Sequence, residues 1–194
     1  QASNILFSLY WQYLVTFCGE KKLSMKKISI VGPESSGKST LGIYLSRVLG
    51  CSLVLEYSRE YLRNKKKYGF SDLTKIAEKQ NRLYNKKINE SGNFIISDTC
   101  LLDIEVWSEI KFKKVNKKIL NLSMDEAYDV YFLCAPDIPW QEDILRENPD
   151  ENKRKLIFKL FEKKMSNRNL NYYVVDGNLT KRLKSCLDII HKMR

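Results

Sequence analysis

Ile28-Ser29-Ile30-Val31-Gly32-Pro33-Glu34-Ser35-Ser36-Gly37-Lys38-Ser39-Thr40-Leu41 is the stretch that decides the fold. Its first four residues form a short apolar run with strand character, and Lys38–Leu49 continues with Leu41, Leu45, Val48 and Leu49 at helical spacing. Between them, Gly32 to Ser39 matches G-x-x-x-x-G-K-[ST] in the context the motif needs, with a strand before and a helix after. Glycines let the backbone approach a ligand closely, so that successive N–H groups at a helix N-terminus surround phosphate oxygens. Gly32, Pro33, Glu34, Ser35, Ser36, Gly37, Lys38, Ser39 and Thr40 are therefore candidate nucleotide contacts. In this motif the lysine reaches the β- and γ-phosphates and the hydroxyl ligates Mg²⁺.

Working outward, short apolar runs alternate with longer amphipathic stretches. Strands are expected at Ile28–Val31, Ser52–Leu55, Phe94–Ser97, Val130–Cys134 and Tyr172–Val175. A helix is expected from Ser58, then a long one entered at Phe70 with Ser71 as N-cap and reaching about Asn89. Further helical patterns run over Leu101–Ile110, Lys117–Leu122, Glu151–Met165 and Leu179–Met193. This alternation implies a three-layer α/β/α P-loop architecture with a mainly parallel five-stranded sheet. Ligands of such a sheet bind at the carboxyl ends of its strands.

Two of those ends carry further charged residues. Phe94-Ile95-Ile96-Ser97-Asp98 reads as a strand closing on a carboxylate, which can hold Mg²⁺, activate an acceptor hydroxyl, or cap the next helix. Glu56-Tyr57-Ser58-Arg59-Glu60 sets a carboxylate and a guanidinium one helical turn apart, either facing a common pocket or forming a surface salt bridge. The polar stretch Asp137–Pro149 follows the fourth strand and is bounded by Pro139 and Pro149. It suits a small lid, with Arg146 available to neutralise phosphate charge and Trp140 either stacking on a ring or packing the lid down. Asn64, Asn85, Asn116 and Asn152 each precede a lysine without the aspartate of a guanine reader, which disfavours a Ras-like switch. No arginine array or sensor motif points to a motor ATPase. A small-molecule kinase is the class that fits.

A hydrophobic content of 43% and a charged content of 29% describe a globular chain. The formal charge of +11 comes mostly from scattered lysines such as Lys65-Lys66-Lys67 and Lys117-Lys118, read as solvated faces rather than a nucleic-acid groove. Five cysteines without C-x-x-C spacing fit reduced, buried thiols in a cytoplasmic protein. A single histidine, His191, leaves histidine catalysis almost no material. Residues 1–24 contain an apolar run too short to span a bilayer, and Met25 stands directly before the first strand. We expect residues 1–24 to be an upstream extension and 25–194 the kinase domain, the competing reading being a membrane-surface or partner-binding helix.

Taken together, the sequence resembles the NadR-type ribosylnicotinamide kinase domain in its stand-alone form. The matching segments are residues 32–41, Glu56–Leu62, Ile76-Ala77 with Gln80, Ser97-Asp98-Thr99, Val106–Glu109, Tyr128–Tyr131, Asp137–Pro149, and Gly177 with Arg182. The resemblance implies ATP-dependent phosphorylation of the 5′-hydroxyl of nicotinamide riboside, with Mg²⁺ as cofactor. It implies Lys38 and Ser39 for ATP and metal, Asp98 for the acceptor and metal site, and Arg146 for the lid. Glu56, Tyr57, Arg59, Gln80 and Trp140 are implied for the nucleoside, and Arg182 for the adenine. The proton acceptor is Asp98 or Glu56. Longer members add an adenylyltransferase domain with paired histidines and a helix-turn-helix, neither of which is expected here. The expected partner is a small nucleoside, not nucleic acid or membrane. Ile144 departs from the Gly or Pro common at that lid position.

Overall fold

The computed structural model describes residues 24–65, 67–143 and 146–193. The expected extension, apart from Ser24, lies outside the described residues, as do Ile144 and Leu145 of the expected lid.

Five strands form one sheet: β1 (Lys26–Val31), β2 (Ser52–Val54), β3 (Phe94–Asp98), β4 (Val130–Cys134) and β5 (Tyr172–Val175). Their order is β2-β3-β1-β4-β5, and all four pairings are parallel. The sheet is thus wholly parallel, as expected when every connection is a helical crossover. The helices are α1 (Lys38–Leu49), α2 (Tyr57–Leu62), α3 (Phe70–Ile88), α4 (Leu101–Phe112), α5 (Lys117–Asp125), α6 (Glu151–Asn167) and α7 (Leu179–Lys192).

Both faces of the sheet are covered, so its strands read as nearly continuous apolar runs. Ile28, Ile30, Phe132 and Cys134 pack with Leu41 and Leu45 of α1 and Leu183 and Leu187 of α7. Ile95, Tyr131 and Leu133 point the other way, onto Tyr84 of α3, Val106 of α4 and Phe161 of α6. A smaller cluster, including Leu62, Ile76, Ile104 and Ile119, joins α2, α3, α4 and α5. From β1 the chain passes to the edge strand β2, returns to β3 beside β1, and then crosses to β4 and β5 on the other side, so the loop after β1 lies at the switch point of the sheet.

One terminal assignment differs from the sequence reading, and one open alternative is decided. Helix α3 is capped at Gly69 rather than Ser71, because the Asp72 carboxylate accepts the Gly69 N–H at 2.8 Å and closes the first turn two residues earlier. Asp98 does not cap a helix. It is the last residue of β3, in register with Ile30, and α4 is capped at Cys100, whose N–H bonds Asp103 at 3.1 Å.

Candidate active site

The phosphate loop leaves β1 through Gly32, where φ is +140° and a Cβ would sit 2.8 Å from the Cys134 carbonyl oxygen. Only glycine fits that approach. At the other end Gly37, with φ +80°, caps α1. Lys38 Nζ donates to the carbonyls of Gly32 and Pro33 at 2.7 and 2.8 Å, closing the loop on itself with its ammonium at the concave side. Ser36 Oγ adds a bond to Pro33 O at 2.8 Å.

Behind this loop Ser39 hydrogen-bonds Asp98, whose carboxylate is buried with Oδ1 lacking any partner among the described residues. Burial pushes the Asp98 carboxyl up to about 6, the Ser39 bond and Lys38 hold it down, and Glu56 pushes it up. A hydroxyl beside an unsatisfied buried carboxylate oxygen is a hard-oxygen donor set that fits Mg²⁺, an ion usually bound by one or two protein groups plus phosphate. Asp98 itself does not line the cavity; Ser39 does.

Glu56 does line the cavity. As the N-cap residue of α2 it accepts from Ser58 Oγ and from Arg59 Nε, the latter at 3.2 Å. Gln80, buried on α3, accepts from Tyr57 N at 2.8 Å and donates to Leu55 O at 3.3 Å. Its amide therefore fixes the backbone on both sides of Glu56. The Tyr57 ring is not on the cavity wall; it packs near Tyr61 in the α2–α5 cluster. Its place in the motif reflects packing, since the side chain after Glu56 must face the helices.

The stretch after β4 lies across the loop as a strap. Glu34 Oε2 accepts the backbone N–H groups of Glu147 and Asn148 at 2.9 and 3.0 Å, and Asn148 Nδ2 at 3.3 Å. Ser35, held at φ +54°, accepts from Gln141 N at 3.1 Å and Arg146 Nη1 at 3.4 Å. Arg146 is thereby brought to the phosphate loop. Arg59 Nη1 pairs with Asp143 at 3.0 Å, so its guanidinium ties α2 to the strap while remaining on the cavity wall. Trp140 is not a wall residue. Its ring lies 5.6 Å from the Arg154 guanidinium and 5.9 Å from that of Arg146, so of its two open roles it takes the packing one.

Arg182 lines the cavity beside Gly177 and Leu179. It is 3% exposed, and its guanidinium N–H groups are committed to protein carbonyls and Asp137.

Among the wall residues that sequence reasoning missed, Trp107 and Asp103 stand out. Trp107 of α4 lines the cavity, its ring in an edge-to-face contact with Tyr68 at 5.1 Å between centroids. Asp103 accepts the Gly32 N–H at 3.3 Å, and burial raises its carboxyl to about 7. Both sit within an apolar helical pattern, where spacing alone reads them as core and cap. The cavity, about 280 Å³, runs from the phosphate loop past Glu56 to Trp107, Ile104 and Phe161. It has a cationic, N–H-rich end and an apolar, aromatic end, the division expected of a site for a phosphate donor and a ring-bearing acceptor.

A parallel sheet of this order with a phosphate loop at its switch point defines a P-loop nucleotide-binding protein. The chain belongs to the family described as an AAA domain, whose model matches residues 27–182. It is also similar to the trifunctional NAD biosynthesis/regulator protein NadR of Salmonella typhimurium (strain LT2) and of Escherichia coli (strain K12). Each is 24% identical over 191 residues, covering 95% of the chain. The chain spans 46% of the length of these relatives. A crystal structure of NadR protein in complex with NAD and AMP-PNP superposes with a TM-score of 0.71 at 17% identity, covering 87% of this chain and 49% of that one, which shows the shared fold.

Proposed function

We propose that this chain is an ATP-dependent kinase that transfers the γ-phosphoryl group to the 5′-hydroxyl of nicotinamide riboside, giving nicotinamide mononucleotide and ADP, in the cytoplasm. The observation that carries the reading is the continuous cavity joining the phosphate loop to a carboxylate and an aromatic wall at Glu56 and Trp107. Its similarity to NadR, described as a NAD biosynthesis protein, supports nicotinamide riboside among possible acceptors.

In this reading Lys38 and Arg146 balance the negative charge of the transferring group. Ser39 and Asp98 would hold Mg²⁺, which would supply positive charge to offset that of the phosphates. Glu56, on the wall, orients the acceptor hydroxyl and takes its proton as the new O–P bond forms and the β–γ bridge breaks. Gln80 keeps Glu56 in place, and Trp107 offers its face to the acceptor ring. An ATP-consumption screen over a nucleoside panel that includes nicotinamide riboside tests this. ADP release dependent on nicotinamide riboside is expected; release with a different nucleoside replaces the acceptor, and nucleotide binding with no release replaces the kinase reading with a regulatory one.

A further inference from the structure

We propose that Arg182 is a positioning residue of the phosphate loop, which holds the Ser36 carbonyl so that the Gly37 N–H stays aimed at the phosphates of a bound nucleotide. The guanidinium packs against the loop from the turn after β5. Nη1 donates to Ser36 O at 2.7 Å, Nε to Gly177 O at 2.7 Å, and Nη2 to Ala135 O at 3.1 Å and to Asp137. Asp137 in turn accepts the Gly177 N–H. One buried cation thus joins the loop after β1, the root of the strap after β4 and the turn after β5.

The consequence for Gly37 follows from peptide geometry. All peptide bonds of the described chain are trans, so the Ser36 carbonyl and the Gly37 N–H point in opposite directions. With the carbonyl drawn toward Arg182, the Gly37 N–H is turned away from the guanidinium, at the residue that caps α1. Gly37 needs this restraint. A glycine takes positive and negative φ with similar ease, so the 36–37 peptide has little intrinsic resistance to flipping over. A flip would present a carbonyl oxygen to the phosphates in place of a donor. A Cβ at residue 37 would lie 3.9 Å from Arg182 Nη1 and 3.2 Å from Ile138 Cδ1, so the guanidinium and the strap root flank the very peptide they steady.

The inference rests on the reading of residues 32–39 as a nucleotide phosphate loop, and not on the identity of the acceptor. The test is calorimetric binding of ATP, inorganic tripolyphosphate and adenosine to the full chain, with Arg182→Lys and Asp137→Asn beside the parent. Lysine keeps the charge but lacks the planar fork that reaches three carbonyls at once. Arg182→Lys is expected to weaken ATP and tripolyphosphate together by about tenfold or more, the effect of losing one charge-assisted hydrogen bond, with adenosine binding unchanged. Loss of adenosine affinity with tripolyphosphate unaffected would overturn the proposal and make Arg182 a base contact. If Arg182→Lys does not fold, Asp137→Asn decides. It leaves the guanidinium in place but loosens it, and should weaken tripolyphosphate in the same direction; unchanged tripolyphosphate affinity there overturns the proposal. A parent chain that binds neither ATP nor tripolyphosphate overturns the phosphate-loop reading itself.

Discussion

Lys38 shows how much of this site rests on single charges. Its ammonium already spans the loop through two carbonyls, and a phosphate adds a third acceptor on the open side. Lys38→Ala should lower kcat by at least ~10²-fold, the scale of one transition-state electrostatic donor, with the fold unchanged by circular dichroism. The carboxylates separate in the same way. Asp98→Asn removes the charge beside Ser39 and should depress kcat and abolish the dependence of ATP affinity on Mg²⁺. Glu56→Gln leaves the loop intact, so ATP binding should survive while acceptor turnover falls. Because burial sets the Asp98 carboxyl at about 6, Mg²⁺-dependent ATP affinity of the parent should weaken as pH falls below that value. A flat profile from pH 5 to 8 would remove Asp98 from the metal site.

At the scale of elements, the strap is the part whose attachment no periodicity announces. Its two backbone N–H groups on Glu34 and the Glu147 carboxylate on Tyr68 and Lys111 make it a bridge between the phosphate loop and the wall formed by α4. Glu34→Ala removes the acceptor of both N–H groups, so amide hydrogen exchange at residues 147 and 148 should accelerate while β1 and β4 stay protected. Unchanged exchange at those amides would mean that the latch is not held in solution. The strands and helices themselves were legible to within a few residues, because two apolar faces on a parallel sheet and amphipathic crossovers leave a strong period. Terminal assignments were harder. Ser71 resembles an N-cap, yet Asp72 reaching back to Gly69 wins, since a carboxylate three residues on satisfies the earlier N–H.

For the whole molecule, buried acids set the pH dependence of stability. Burial raises Asp98 to about 6, and Asp103 and Glu126 to about 7, all above their unfolded values near 4. Groups raised in the folded state bind more protons there, so the stability they allow is complete at low pH and is lost as pH rises through 6 to 7. Asp72 and Glu105, held low by their hydrogen bonds and cationic partners, act oppositely, but only where the pH falls below the ordinary carboxylate range. Urea midpoints should therefore be higher at pH 5.5 than at pH 8, and Glu126→Gln should flatten that slope. A midpoint that climbs steadily toward pH 8 would contradict the burial argument. The thiols are consistent with the expected reduced state: burial pushes Cys51 up to about 12 and Cys134 to about 11, which makes both poor nucleophiles. Among the described residues no helix is long and apolar enough to cross a membrane. With the lysines scattered along the sequence, DNA binding tighter than ~1 μM at physiological salt is not expected, and a salt-resistant, sequence-dependent gel shift would reverse that reading.

By itself the sequence determined the phosphate loop, the five strands and the carboxylates at their ends, because these depend on local spacing: a strand, a glycine-bounded turn and a helix within a few residues of one another. The resemblance of scattered motifs added an expected acceptor. Tertiary structure alone decided which way the intervening side chains face. Trp107 and Trp140 look alike as aromatic residues near charged neighbours, yet the helix turns the first into the cavity and the cation pair of Arg146 and Arg154 keeps the second on the strap. Arg182 lies 146 residues from Ser36 along the chain, and no spacing rule connects them. Only the parallel order of β1, β4 and β5 brings their carboxyl ends together, and with them the loops that share one buried guanidinium.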